Sequence, residues 1–377
     1  MNILITGENG FIAKNLSLRL KEFNYSISGV NKLTSNSDLN NKLEKADFIF
    51  HLAGENRSED SSDFEKNNHL FTKNVCDFLS KKNIKTPIIF SSSTQASQKN
   101  PYGISKRLAE KQLIELQSNN NNHVLIYRLN GVYGKWAKPN YNSVVATFCH
   151  RVANNLELEI HDRREPLLLT FIDDVVDSFI ENMESILAKD KKSPSGIIYC
   201  DFSYEISISD LARKIMDFSK NRSLTYVNNI SDGLDKSLYS TFLTYLSPKN
   251  FIYSIPFNED KRGVFTEFLK SNKFGQVSFF TVNPNCVRGM HYHNQKVEKF
   301  LVLQGTGEFI YENTLTNQID IFRLNDKDFK VIETIPGVSH SIKNIGNNTL
   351  IVLAYANEIF DEENPDTFHY KINHEKT

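Results

Sequence analysis

Two folds in series are predicted: a doubly wound α/β domain with a parallel sheet over residues 1–250, then an all-β jelly-roll barrel over residues 251–377. Three observations predict them. The chain opens on an apolar run, NILIT at residues 2–6, that passes straight into a turn with two glycines and then an amphipathic helix, KNLSLRLKEF. Past residue 250 helical periodicity gives way to short β-rich runs (GVFTEFL, GQVSFFTV, EKFLVLQG, GEFIYE, IDIFRL, TLIVLAYA) parted by Gly, Asn and Asp turns, the spacing of a sandwich or barrel. Between Leu224 and Pro256 the pattern loosens, and 377 residues suit two domains.

Composition narrows the function classes. A net charge of −1 gives no electrostatic case for nucleic acid or an anionic membrane. No apolar run approaches the roughly 20 residues that span a bilayer, and MNILITGENG lacks the pattern of a signal peptide. Cys76, Cys149, Cys200 and Cys286 lie far apart without a CxxC, so a reducing cytoplasm and no disulfide framework are expected.

In the first half, strand, glycine turn and helix start form the geometry that holds a pyrophosphate on backbone N–H groups. Gly7 and Gly10 allow the tight turn and close approach, Phe11 and Ile12 continue that turn as cofactor-binding candidates, and Ala13 is small enough for helix–strand packing. The second strand, YSISGV, ends at Asn31-Lys32 without the acid that usually holds an NAD ribose. Lys32 can pair with a 2′-phosphate, so NADPH is the expected cofactor. ADFIFHLAGENR gives a strand ending in His51-Leu52-Ala53-Gly54, with His51 read as packing or capping and Ala53 and Gly54 as another backbone approach to the cofactor.

The chemistry of this half falls between Phe90 and Lys106. PIIFSSS is a buried strand ending in hydroxyls, and Tyr102 and Lys106 are spaced i, i+4 on one helix face. An ammonium beside a phenol lowers the tyrosine pKa, so Tyr102 can exchange a proton with a substrate oxygen while a nicotinamide moves a hydride. On TGENGFIA, HLAG, FSSS, PYGISK, LIYRLNGVYG and LTFIDDVVDSFI, residues 1 to about 245 resemble the extended short-chain dehydrogenase/reductase (SDR) family, with its Rossmann-type fold. The resemblance implies Tyr102 as acid/base, Lys106 as its partner and Ser93 as the catalytic hydroxyl, with Ser92 and Thr94 as alternatives. Family dehydratases carry Thr-Asp-Glu where this chain has Ser93-Thr94-Gln95, which implies reduction rather than dehydration.

Asn119–Asn122 reads as an exposed loop after the helix LAEKQLIELQ, and two further amphipathic helices are expected at 173–188 and 207–219. Arg128, Asn142, Arg163 and Arg164 are candidates for a sugar-nucleotide diphosphate, each with a structural role as the alternative. Trp136 lies in a stretch, GKWAKPNY, read as a loop near the ligand.

The second half centres on RGMHYHNQKVEKFLVLQG. Alternation along a strand puts His291 and His293 on one face, Glu298 fits the return strand of a hairpin, and Pro336-Gly337 can turn a strand carrying His340 alongside. Three imidazoles and a carboxylate suit a divalent metal such as zinc. HxH, four residues, Glu, six residues, Gly, then PxxxH resembles the paired motifs of the cupin barrel, although Asn285 stands where the motif usually begins with glycine. Arg288-Gly289-Met290-His291 is similar to the RGxH of cupin-fold nucleotide-sugar epimerases. Lys296 is the candidate base, ahead of Tyr292 and Tyr311.

A cupin behind a short-chain reductase resembles the bifunctional enzymes of capsular polysaccharide synthesis. That resemblance implies a homodimer acting on a UDP-linked 4-keto-6-deoxy-N-acetylhexosamine, epimerised at C3 by the cupin and reduced at C4 with NADPH. The implied product is UDP-2-acetamido-2,6-dideoxy-β-L-talose, a precursor of UDP-N-acetyl-L-fucosamine. The alternatives are a reductase with a structural or dimerising metal cupin, and a non-catalytic NADP-binding regulator.

Overall fold

The structure, a computed structural model, describes residues 1–160, 165–227 and 230–372. It divides into two compact units, Met1–Ile215 with Ser237–Leu246, and Met216–Lys236 with Ser247–Thr377.

In the first unit, strands β1 (Asn2–Thr6), β2 (Ser26–Val30), β3 (Phe48–His51), β4 (Ile88–Ser93), β5 (Val124–Leu129) and, after the short β6 (Gly131–Tyr133) and β7 (Leu167–Phe171), β8 (Gly196–Tyr199) supply one parallel sheet, in the order β2-β1-β3-β4-β5-β8. A third short strand, β9 (Tyr204–Ile206), joins β6 and β7 in a separate small sheet. Helices α1 (Phe11–Glu22), α2 (Asn36–Lys45), α3 (Ser62–Phe64), α4 (Phe71–Lys81), α5 (Pro101–Asn120), α6 (Val144–Ala153) and α7 (Ile172–Leu187) follow in turn.

The apolar runs of the strands explain the layering. Along β1, Ile3 and Ile5 pack with Leu16 and Leu20 of α1 and Phe179 of α7. Leu4, between them, packs on the opposite face with Leu43 of α2, Val75 of α4 and Leu113 of α5. Both faces are therefore buried, as a parallel sheet requires, and each such side chain contributes about 1.5–3 kcal/mol. The strand order reverses between β1 and β3, and ligands of such sheets bind in the crevice beyond the strand ends at that point.

The Asn119–Asn122 loop expectation is corrected. Helix α5 runs on to Asn120, Asn121 closes it at φ +58°, and Asn120 and Asn122 are buried. Their amides donate to the carbonyls of Ile84 and Thr86, so the polar run satisfies a neighbouring loop. The expected helices at 173–188 and 207–219 match α7 and α8 (Ile208–Ser223), and α9 (Gly233–Leu243) follows.

The second unit holds two antiparallel sheets. Strands β10 (Phe257–Asp260), β11 (Gly263–Ser271), β12 (Gly275–Val282), β14 (Glu298–Gln304), β17 (Val331–Glu333) and β19 (Leu350–Ala356) form one, ordered β10-β11-β12-β19-β14-β17. The other is β16-β15-β18-β13-β20, from β13 (Val287–Tyr292), β15 (Thr306–Asn313), β16 (Ile319–Asn325), β18 (Val338–Asn344) and β20 (Phe368–His369). Inward residues of both sheets share one core, including Phe280, Phe300, Val352, Phe309 and Ile342, the arrangement of a cupin-like barrel. Asn285 takes φ +63°. Asparagine tolerates that left-handed conformation, so the turn forms without the motif's glycine.

Candidate active sites

In the first unit the site is built at the ends of β1, β3 and β4. Asn100 caps α5, its side chain accepting from the Gly103 amide at 2.7 Å, and Pro101 occupies the first turn. A Cβ on Gly103 would lie 2.1 Å from the Gln95 carbonyl, so glycine lets α5 press against the turn that follows β4. That approach brings Tyr102 close enough to Ser93 for its hydroxyl to work toward lowering the phenol's pKa. The neighbouring hydroxyls are engaged elsewhere: Ser92 donates to Glu110, and Thr94 reaches the Leu129 carbonyl at 3.4 Å.

Lys106 is buried, donates to the Ser91 carbonyl at 2.8 Å and lies 4.8 Å from the centre of the Phe90 ring. Burial lowers its pKa to about 8, against the opposing pull of Glu110. The expectation that Lys106 lowers the Tyr102 pKa is corrected. Burial raises the Tyr102 pKa, and the Ser93 hydroxyl only partly opposes it. The phenol therefore carries its proton at neutral pH.

Sequence reasoning missed Asn68, which lies in a π-helical turn, Glu65–Leu70, just ahead of α4. It accepts from the Glu55 amide at 2.7 Å and donates to the Glu55 carbonyl and to Ser105 Oγ at 3.0 and 2.9 Å. A Cβ on Gly54 would stand 2.8 Å from Asn68 Oδ1 and 3.1 Å from Lys106 Nζ, so Gly54 admits both groups. The signal was available: Asn68 extends the apolar face of Val75, Cys76 and Leu79 back by one to two turns. His51 is a packed core residue, bonded to Thr6 and Thr72 at 2.8 and 2.9 Å.

Several candidates have other partners. Lys32 is exposed and pairs with Glu55 at 2.9 Å, and Asn31 donates to Glu8. Arg128 makes a two-pronged contact with buried Glu110 at 3.0 and 2.7 Å, a structural pair rather than a diphosphate contact. Asn142 and Trp136 are exposed, and Arg163 and Arg164 lie outside the described residues.

In the second unit, His291, His293, Glu298 and His340 converge, their ligand atoms all within 4.8 Å of one another. His291 and His340 are direct partners across β13 and β18, next to a bulge where Met290 takes φ +65°. The hairpin expected to carry Glu298 is corrected. β14 pairs with β17 and β19, in the other sheet from β13, so the turn after His293 crosses between sheets and the ligands meet from both.

The donor set fits a cation. His293 Nδ1 donates to the Asp366 carbonyl at 2.7 Å, which leaves Nε2 of the neutral ring a lone pair. That lone pair faces Glu298 Oε2 at 3.2 Å, and His340 Nε2 lies 3.3 Å from the same oxygen. His340 Nδ1 has no partner, so its Nε2 can donate to that oxygen, whereas a neutral His293 turns only a lone pair to it, an arrangement that a proton or a metal would relieve. Burial, followed by the neighbouring His340, lowers the His291 pKa to about 3, so this imidazole is neutral and keeps a lone pair for a cation. Burial also works to raise the Glu298 carboxyl, but the two imidazole edges outweigh it and hold it well below the usual range. A cavity of about 610 Å³ adjoins the cluster, with Arg262, Lys270 and Arg288 among its walls.

Lys296, the expected base, is buried and donates to Thr367 Oγ1 at 2.7 Å and the Pro365 carbonyl at 3.1 Å. Tyr292 stacks on Phe368, and Tyr311 donates to the Glu333 carbonyl at 3.0 Å.

Residues 3–194 match the NAD dependent epimerase/dehydratase family, and residues 258–368 match the polysaccharide biosynthesis C-terminal domain. The chain belongs to the NAD dependent epimerase/dehydratase family. One relative, the UDP-2-acetamido-2,6-beta-L-arabino-hexul-4-ose reductase of Pseudomonas aeruginosa, is 38% identical over 369 residues, 98% of each chain. The crystal structure of capsular polysaccharide assembling protein CapF from Staphylococcus aureus is similar with a TM-score of 0.89 at 35% identity, over 99% of this chain and 100% of that one. UDP-glucuronic acid 4-epimerase from Bacillus cereus, at 20% identity and a TM-score of 0.55, covers 65% of this chain and 98% of its own, and shares the fold.

A nicotinamide cofactor is the family's reagent, and the β1/β3 crevice fits one. Gly7, at φ +71°, is so close to β3 that a Cβ would stand 2.7 Å from Ala53 Cα. Gly10 caps α1 without a side-chain bond, and the first turn carries no acid, so the N–H groups at Phe11 and Ile12 are open to a phosphate.

Proposed function

We propose that the chain is a bifunctional UDP-sugar enzyme of capsular polysaccharide synthesis, working as a homodimer. Residues 251–377 epimerise C3 of a UDP-linked 4-keto-6-deoxy-N-acetylhexosamine, and residues 1–250 reduce its C4 ketone with NADPH. The product is UDP-2-acetamido-2,6-dideoxy-β-L-talose, the precursor of UDP-N-acetyl-L-fucosamine. The observation that carries this reading is the presence in one chain of both sets, Ser93–Tyr102–Lys106 and His291–His293–Glu298–His340. Support comes also from similarity, over nearly its full length, to a 4-ketose reductase and to a capsular polysaccharide protein.

Reduction needs a hydride at C4 and a proton on O4. NADPH supplies the hydride when bound. Tyr102, protonated because it is buried, donates its phenolic proton to O4, while Ser93 orients that oxygen and Lys106, bonded to the Ser91 carbonyl, holds the helix against the end of β4. The Gly7 and Gly10 turn, Phe11 and Ile12, Asn31 and Lys32, and Ala53 and Gly54 hold the cofactor.

Epimerisation starts at C3–H, which the adjacent C4 ketone acidifies: the proton passes to water in the cavity beside the cluster, and a proton from water returns to the opposite face of C3. His291, His293, Glu298 and His340 would hold a divalent metal, zinc for this donor set. When bound it supplies a positive charge at O4, where negative charge builds as C3 loses its proton.

The test is turnover of the 4-keto substrate with NADPH in deuterated water. Reduced product with deuterium at an inverted C3 is the expected result. Reduction without C3 exchange would leave a reductase with a metal-holding second domain, and no turnover would refute the substrate.

A further inference from the structure

We propose that the segment 365–370 is a clamp that positions the metal site, with Asp366 and Lys296 as positioning residues. The inference rests on the metal reading above and moves Lys296 from proton carrier to clamp. Only four residues, 294–297, separate His293 from Glu298, yet these two ligands arise next to different sheets. One side chain ties that crossing down. The Asp366 carboxylate accepts the amides of Asn294, Gln295 and Lys296 at 3.0, 2.8 and 2.7 Å. Its backbone carbonyl accepts His293 Nδ1 at 2.7 Å, so the same residue sets both the turn and the tautomer that turns Nε2 toward the site.

The far side of the clamp is anchored independently. β20 pairs His369 with His291 and Phe368 with Tyr292, the Tyr370 amide donates to the Met290 carbonyl at 2.9 Å, and Ser339 Oγ donates to the Tyr370 carbonyl at 3.2 Å. The segment thus touches both strands that carry His291 and His340. Asp366 sits at φ +34°, a conformation that costs an L-residue energy and persists where surrounding bonds over-determine it. Lys296 closes the ring, its buried ammonium donating to Thr367 Oγ1 and to the Pro365 carbonyl.

Outer partners that orient ligating imidazoles typically account for about 10–100-fold in metal affinity. The experiment measures zinc affinity of the full-length protein by competition with a chromophoric chelator, for wild type, Asp366→Ala, Lys296→Met and Thr367→Val. C3 exchange in deuterated water is followed at limiting and at saturating zinc. Each variant is expected to bind zinc about 10–100-fold more weakly, with exchange restored at saturating zinc. Affinities within twofold of wild type would overturn the clamp, as would exchange lost in Lys296→Met and not restored by zinc. Should Asp366→Ala fail to fold, the other two variants, which keep every bond of the Asp366 carboxylate, decide the matter. A wild type that takes up no zinc would overturn the metal reading and the clamp with it.

Discussion

The two sites are assembled in opposite ways. Ser93, Tyr102 and Lys106 lie within fourteen residues on one strand end, one turn and one helix, and each polar group already has a protein partner. The histidine and glutamate site draws on two sheets and fifty residues of chain, and two of its imidazoles turn to one carboxylate oxygen. On the proposed reading the first moves its own proton and the second works with a bound cation. A local site can be held by helix geometry, whereas a site gathered from two sheets needs a separate device to keep its ligands in register.

Tyr102→Phe tests the self-sufficient site most severely. Reduction should fall by about 10²–10⁴-fold, with zinc affinity and C3 exchange unchanged, as cofactor oxidation and isotope uptake would report. A loss of both activities would break the comparison by showing that the sites are not separable. His340→Ala is the reciprocal change. It should weaken zinc binding by more than the about 100-fold expected of an outer partner and abolish C3 exchange, while a ketone already inverted at C3 is still reduced.

Ser93→Ala against Ser92→Ala sharpens the first site. Removing the hydroxyl at Tyr102 should lower the reduction rate by about tenfold or more. Removing the one at Glu110 should cost about 1 kcal/mol of stability and leave the rate near wild type, because Arg128 still holds Glu110. Thermal melting and initial rates separate the two effects.

The smallest effect is one of pH. Lys106 has its folded pKa lowered by burial to about 8 from 10.5, so between those values the unfolded chain binds more protons and folding gains stability as pH rises. Relative to Lys106→Met, the wild-type apo protein should be penalised most below pH 8. That difference should shrink as pH climbs to 10.5, read from melts of both proteins.

Much of this was legible in residue order. Strand periodicity, the turn Gly7-Glu8-Asn9-Gly10, the i, i+4 pair Tyr102 and Lys106, and the HxH spacing are local features, and the fold places each as its period implies. Asn119–Asn122 was misread because its composition is that of a loop, while its amides serve carbonyls some thirty-five residues away. Lys296 and Asp366 show the same limit, since no spacing relates residues seventy positions apart.

The amino-acid sequence by itself determined which atoms this protein can use for chemistry: a phenol and an ammonium on one helix face, and three imidazoles with a carboxylate in β-rich chain. Tertiary structure decided their protonation and their partners. Burial depends on what other segments cover a group, so the raised Tyr102 and the lowered Lys106 could not be read from the i, i+4 spacing that joins them. Sheet pairing is likewise non-local, and it alone sent Glu298 to the opposite sheet and brought Asp366 back over His293.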